Sequence, residues 1–334
     1  MATLTRVGED ELRVFLAEYS DLGNLDSVLG IPEGSVNSNY RVEIAGRPFF
    51  LRIYEEQGPD GARVEADTLL GLAARGVPCK APLLRRDGEH VGELAGKPAA
   101  LFEWCEGAMR CQASVSAQDA AQVGVALAQI HVAGGALPDG RAGRFGPPEL
   151  RVRLERIARA DDPTLAACAA PLLRALDENE MRRRSDLPRG LVHGDLFRDN
   201  ILWNEAGEIA TLLDFESASK GAFAFDLMVT VLAWCVGDTL DAELARAMVA
   251  GYQSVRLLTR AEHEGLHAES RFAALRFSIT RITDYAMRGD DVGPRAMKDY
   301  RRFIMRHDTL EQMGQEGLAR ILFGSAVADA HSGA

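Results

Sequence analysis

Cysteine is scarce in this chain and is placed without pattern. Among 334 residues there are five, Cys79, Cys105, Cys111, Cys168 and Cys235, odd in number and with no C-x-x-C pair. That excludes a disulfide scaffold and a zinc-ribbon spacing, and it predicts reduced thiols in a cytoplasmic protein. Basic residues are also in deficit. Lys and Arg number 38 against 49 Asp and Glu, for a net charge of -11. A nucleic-acid partner is therefore not expected, since phosphate backbones require clustered cations. No apolar run approaches the roughly 20 residues that span a bilayer. The first ten residues lack the apolar core of a secretory leader, so neither a membrane span nor a signal peptide is expected. Internal repeats and low-complexity tracts are missing as well.

What is present suffices for a large core. Hydrophobic residues make up 47% of the chain, enough for one or two domains. Leu12, Phe15, Leu16 and Tyr19 share one face of a helix predicted over about residues 9 to 20. Strands are predicted at Ser27 to Ile31, Tyr40 to Ile44 and Pro48 to Tyr54, the last two joined by a hairpin turn at Ala45-Gly-Arg47. A helix from Arg63 to Arg75, with Val64, Leu69 and Leu72 inward, ends at Gly76 and Pro78. Two further strands end at Ala99 to Glu103. Beyond this point the periodicity is mainly helical: Ala117 to Val132 with Ser116 as N-cap, Leu150 to Arg159, Thr164 to Arg184, Phe223 to Val236, Asp241 to Leu257, Thr259 to Met287 and Pro294 to Leu322. Short β segments interrupt it at Leu191-Val192, Asn200 to Trp203 and Ile209 to Leu213. The basic stretch Met181 to Arg184 reads as a solvated helix end, His131 as a packed or capping histidine, and Trp104, Trp203 and Trp234 as core or linker residues. The fold class is thus α+β, with a small β-rich part at residues 1–103 and a larger helical part at 104–334.

The chemistry concentrates in Leu191-Val-His-Gly-Asp-Leu-Phe-Arg-Asp-Asn-Ile-Leu-Trp203, followed by Leu212-Leu-Asp-Phe-Glu216. Phosphoryl transfer needs a base beside the acceptor hydroxyl and hard oxygen ligands for magnesium. Asp195 supplies the candidate base. Asn200 offers an amide oxygen, and Asp214 a carboxylate at the end of the apolar run Ile209 to Leu213. Both are candidate metal ligands. This order and spacing resembles the kinase catalytic loop H-x-D-x-x-x-x-N followed by an Asp-Phe pair. Gly194, where protein kinases carry arginine, points instead to the aminoglycoside phosphotransferase-like family of small-molecule kinases. The resemblance implies a two-lobed protein-kinase-like fold, with an antiparallel β-rich N-lobe and a mainly helical C-lobe, and it implies ATP and Mg2+ as cofactors. His193 would shape the loop and Asp226 would brace it. Arg52 occupies the strand position of the phosphate-gripping lysine, with Glu65 as its partner on the next helix. Ser35, Asn37, Ser38 and Asn39 would cover the phosphates, and Glu103, Trp104 and Cys105 would form the linker whose backbone meets adenine.

The similarity extends further. Tyr19-Ser-Asp-Leu-Gly23, Gly30-Ile-Pro-Glu-Gly34, Asn37 to Tyr40, Leu72 to Pro78, Gly92 to Ala100, Phe225-Asp-Leu227, Ala233-Trp-Cys235, Ala274 to Phe277 and Tyr300 to Phe303 look like homoserine kinases of that family. An L-homoserine acceptor is the resulting expectation, within threonine biosynthesis. Arg276 or Arg281 would meet the acceptor's carboxylate, and Glu216 or Asp284 its ammonium. Two alternatives remain open at this point. One is a phosphotransferase of the same family acting on another small alcohol, such as an aminoglycoside, choline, a sugar or a hydroxylated amino acid. The other is a catalytically dead nucleotide-binding module.

Overall fold

The computed structural model describes residues 5–32, 37–137, 143–291 and 298–324. The chain forms two compact units. One comprises Met1–Ala108 with Ala210–Glu216, the other Met109–Ile209 with Ser217–Ala334.

The first unit opens with helix α1 (Glu9–Ala17), whose Leu12, Phe15 and Leu16 are buried as their spacing predicts. Strands β1 (Leu25–Ile31), β2 (Ser38–Ile44) and β3 (Arg47–Ile53) follow. Ala45 and Gly46 between β2 and β3 both have positive φ, 48° and 73°, the backbone of a two-residue turn matching the twist of an antiparallel pair. Helix α2 (Pro59–Ala73) starts four residues before its predicted start, because Pro59 takes the first helical position, where its missing N–H costs nothing. Ala62, Glu65, Ala66, Leu69 and Leu72 share its buried face, and Val64, off that face, is exposed. Strands β4 (Gly92–Leu94) and β5 (Lys97–Glu103) complete one antiparallel sheet in the order β1-β2-β3-β5-β4. Its buried face, with Val42, Ile44, Phe49, Leu51, Ile53, Ala99 and Leu101, packs with Leu12, Phe15 and Leu16 of α1 in one core. The segment Ala210–Glu216 belongs to this unit. Leu212 donates its N–H to Pro78 O at 2.6 Å and pairs with Cys79 in a parallel bridge.

The second unit is mainly helical. Helix α3 (Ala117–Gly134) begins with the expected Ser116 cap, closed into a capping box by Asp119. Helix α4 (Pro147–Ala158) follows. The single helix predicted from Thr164 to Arg184 is two, α5 (Pro163–Ala166) and α6 (Ala169–Arg182). Pro171 lacks an N–H and its ring would clash with the carbonyl one turn back, so the helix restarts with Pro171 in its first turn. Strands β6 (Arg189–Val192), β7 (Ile201–Trp203) and β9 (Ser219–Ala222) are short, as is β8 (Ile209–Leu212), whose last three residues belong to the first unit. β9 was not legible in the sequence. It pairs antiparallel with β6, and a methyl group on Gly221 would stand 2.7 Å from Val192 Cγ2, so its small residues are what the pairing requires.

Helices α7 (Phe223–Trp234), α8 (Ala242–Gln253), α9 (Arg260–Asp284) and α10 (Arg301–Phe323) close the unit. α10 is kinked at Gly314, φ 68°. The predicted start of this helix at Pro294 lies outside the described residues. α3 and α8 cross closely enough that a Cβ on Gly124 would lie 2.0 Å from Met248 O, and one on Gly251 2.1 Å from Ala121 O. Arg182 pairs with Glu311, Arg183 with Glu269, and Arg184 with Asp186 and Glu264, so the basic helix end is ion-paired rather than merely solvated. Among the described residues, no helix is long and apolar enough to cross a membrane.

Candidate active site

The catalytic loop lies in the helical unit, directly after β6. Its backbone is held almost group by group. Asp226, on the first turn of α7 and fully buried, accepts the N–H of His193 at Oδ2 and the N–H of Gly194 at Oδ1, both at 2.7 Å. His131, on α3, makes a third bond to Asp226 Oδ2 from Nε2 at 3.0 Å. Its Nδ1 lies 2.8 Å from Tyr252 Oη, and its ring stacks on Phe223 at 4.5 Å between centroids. Burial alone would push the Asp226 carboxyl up. The hydrogen bonds from His131 and from the amide of Gly194 outweigh it and hold the group below its ordinary value. Burial pushes His131 the other way, below 6.5, so at neutral pH it is uncharged. A neutral ring then donates from Nε2 to Asp226 and accepts the Tyr252 hydroxyl at Nδ1, the assignment that satisfies both partners.

Asp195 stands at the tip of this loop. Its N–H points to His193 Nδ1 at 3.3 Å, and its carbonyl accepts Asn200 Nδ2 at 2.7 Å. Trp234 Nε1 donates to Leu196 O at 2.9 Å, tying the following residue to α7. Gly194 has φ +76°, a left-handed backbone, and a Cβ there would meet Ser217 O at 3.2 Å, so glycine fits this position on both counts. With Nδ2 of Asn200 committed to the loop, the remaining end of its amide is the oxygen, a hard donor of the kind magnesium takes.

The first unit carries the phosphate-gripping candidates. Arg52 on β3, largely shielded, lies 3.2 Å from Glu65 of α2 and 3.7 Å from Glu216. Burial would lower its basicity, but the charges of Glu216, Glu65 and Asp214 outweigh that and raise it. Asn37 donates to Glu216 and accepts the N–H of Glu55 at 3.1 Å. Ser38 binds Glu55, whose carboxyl is lowered to about 2: burial opposes the shift, and hydrogen bonds from Lys97, Ser38 and Thr5 override it. Asn37, Ser38 and Asn39 are all buried, so these side chains brace the start of β2. Ser35 lies outside the described residues.

Asp214 has φ +60°, unusual for a residue with a side chain, and its Oδ1 is buried with no hydrogen-bond partner among the described residues. A buried, unpartnered carboxylate oxygen is costly alone and suits a cation. No cluster of three His, Cys, Asp or Glu that could hold a metal occurs among the described residues. Of the linker residues, Glu103 is exposed and pairs with Lys80 at 3.0 Å, Trp104 lies under Arg41 at 5.1 Å, and Trp104 to Glu106 leave the sheet with no regular structure.

Of the acceptor candidates, Arg276, Arg281 and Asp284 lie on α9 and Glu216 lies in the first unit. Arg276, on α9, donates to Gly194 O at 3.1 Å and stands 3.5 Å from Asp195 Oδ1. Arg281, one turn on, faces the Asp299 carbonyl at 3.3 Å and the rings of Phe303 and Phe197. Burial lowers its pKa to about 10 although Asp195 and Asp199 pull it up. Asp284 is paired with Arg153 at 2.5 Å, and Glu216 belongs to the first unit with Arg52. Sequence reasoning missed the Tyr252–His131–Asp226 chain, because its members lie 95 and 121 residues from one another and none carries a local motif.

The profile of the family described as phosphotransferase enzyme family matches residues 27–263. The chain belongs to this phosphotransferase family. Relatives include the homoserine kinase of Agrobacterium fabrum, 35% identical with 96% of this chain and 99% of the relative covered. The homoserine kinase of Gluconacetobacter diazotrophicus is 36% identical, with 95% and 100% covered. Among solved structures, an amicoumacin kinase shares 17% identity at a TM-score of 0.69, covering 92% of this chain and 98% of its own. The choline kinase of Streptococcus pneumoniae shares 19% at 0.62, covering 93% and 99%. At these identities the two structures establish the fold: the phosphotransferase-type kinase fold, with its antiparallel five-stranded sheet and helical C-terminal part.

Proposed function

We propose that this phosphotransferase is a homoserine kinase, transferring the γ-phosphate of ATP to the side-chain hydroxyl of L-homoserine within threonine biosynthesis. The observation that carries it is the likeness to homoserine kinases at about a third identity along nearly the whole chain. In this reading Asp195, held by Asn200 and the Asp226-braced loop, orients the acceptor hydroxyl and takes its proton as the P–O bond forms. Asn200 and Asp214 would hold magnesium, which would supply the positive charge that offsets the triphosphate. Arg52, kept in place by Glu65 and Glu216, grips phosphate in the role more often given to lysine. Trp104 and Cys105, with Glu103 before them, supply backbone to adenine.

Arg281 is the candidate for the acceptor's carboxylate. It is a desolvated cation whose hydrogen bond goes to a carbonyl, and Asp195 is near enough to influence its charge. The reduced state of all five cysteines fits a cytoplasmic location. Coupled ADP release with L-homoserine tests the proposal. Turnover with L-homoserine well above that with choline, aminoglycosides or sugars supports it, and a folded, ATP-binding protein that ignores L-homoserine refutes the substrate. The absence of turnover with every acceptor would favour the nucleotide-binding module.

A further inference from the structure

Two groups in the loop that Asp226 braces are met by one further residue, Arg276. Arg276 projects from α9, 82 positions along the chain from Gly194, and is almost wholly buried, at 3% exposure. Its Nη1 donates to Gly194 O at 3.1 Å and lies 3.5 Å from Asp195 Oδ1. Its guanidinium is flanked by two aromatic rings, Phe277 at 3.8 Å and Phe145 at 4.2 Å from the ring centres, which fix where the planar group can lie. Gly194 is therefore pinned through both of its polar backbone groups, N–H by Asp226 and C=O by Arg276. A buried guanidinium also needs an anion, and Asp195 is the carboxylate within salt-bridge distance of it.

We propose that Arg276 is a positioning residue for phosphoryl transfer: it holds Gly194 O and the Asp195 carboxylate together and so fixes how that carboxylate meets the acceptor hydroxyl. This rests on the kinase reading of Asp195. It departs from the role that residue type alone suggests, a seat for the acceptor's carboxylate, because the cation is already held against the base. Arg276 touches neither nucleotide nor acceptor in this account; it acts through Asp195. Lysine, a point charge on a flexible stem, would keep the charge but not the planar group held between Phe145 and Phe277.

The test is single-turnover phosphoryl transfer, with separate KM values, for the wild-type enzyme, Arg276→Gln and Arg276→Lys, on whichever acceptor the wild type turns over best. The expected result is a fall of about 100-fold in the chemical step for Arg276→Gln, the scale of a roughly 1 Å misplacement of a reacting group. KM for ATP and for acceptor should stay within about threefold, and Arg276→Lys should recover part of the rate. In an Asp195→Asn background, Arg276→Gln should cost little more, since its effect runs through the missing carboxylate. Phe145→Leu removes one face of the sandwich without touching a polar group and should lower the chemical step several-fold at unchanged KM, which keeps the test open if Arg276→Gln does not fold. An unchanged chemical step with acceptor KM raised 30-fold or more would overturn the proposal and make Arg276 an acceptor ligand. Equal losses from Arg276→Gln with and without the Asp195 carboxylate would also overturn it. Failure of the wild type on every acceptor would instead sink the kinase reading.

Discussion

Asp226→Asn isolates the brace beneath the catalytic loop. The substitution is nearly isosteric, so no cavity confounds it. The native carboxylate accepts three donors: the N–H groups of His193 and Gly194 at 2.7 Å and His131 Nε2 at 3.0 Å. An amide has one acceptor oxygen. If that oxygen keeps the His193 and His131 bonds, its NH2 faces the Gly194 N–H, donor against donor. Losing a hydrogen bond to a charged group costs about 1.5–3 kcal/mol, and leaving a buried donor unsatisfied about 1–3 kcal/mol more. A destabilisation of about 3–5 kcal/mol follows, against a total of about 5–15 kcal/mol for an ordinary domain. At roughly 2–4 °C per kcal/mol for a unit of this size, the unfolding midpoint should drop by about 10 °C, leaving a folded protein at 25 °C. The freed loop should also slow the chemical step by about 100-fold with nucleotide affinity retained. Thermal unfolding followed by circular dichroism and single-turnover transfer read the two effects. A midpoint within a degree or two of wild type, together with normal transfer, would refute the argument that this buried carboxylate holds the loop.

Other predictions follow from the same geometry. Asp195→Ala should abolish turnover while ATP binding, followed by calorimetry, stays largely in place; turnover near wild type would remove Asp195 as the base. Asp214→Ala should weaken magnesium-dependent ATP binding, with little effect on binding measured without the metal; equal binding in both conditions would contradict its ligand role. Arg52→Lys should raise KM for ATP by about tenfold, because a flexible ammonium does not keep the planar guanidinium's fixed placement beside Glu65 and Glu216. Stability should fall between pH 6.5 and about 5. His131 and His307 are both held by burial below their ordinary 6.5. Below 6.5 the unfolded chain takes up protons that the folded chain does not, and each histidine contributes at most about 1.4 kcal/mol per pH unit. Carboxylates with lowered values, such as Glu55, enter only below about 4.5. A denaturation midpoint flat from pH 7 to 5 would contradict this.

Much of this was readable in the sequence, for reasons that differ from element to element. The hairpin at Ala45-Gly46 and the cap at Ser116 are local signals, and the structure shows both. Asp195, Asn200 and Asp214 stood out as candidates because their order and spacing within a single short stretch resemble a kinase catalytic loop. β9 escaped because Ser-Lys-Gly-Ala has no strand propensity of its own and becomes a strand only against β6. The break between α5 and α6 is local, but Pro171 falls within an apolar periodicity that continues through it. Arg276 was legible as a charged residue and not as a clamp, because its partners Gly194 and Asp195 come together with it only in the folded unit. The Arg52–Glu216 pair is of the same kind: 164 residues separate its members, and no pattern in the chain links them.

The most direct test of the account is steady-state ADP release by the purified full-length chain with ATP, Mg2+ and L-homoserine, beside choline, an aminoglycoside and L-serine. The account predicts saturable turnover on L-homoserine, with kcat/KM at least 100-fold above every other acceptor and lost in Asp195→Ala. Comparable or higher kcat/KM on another alcohol, with L-homoserine untouched, would contradict it.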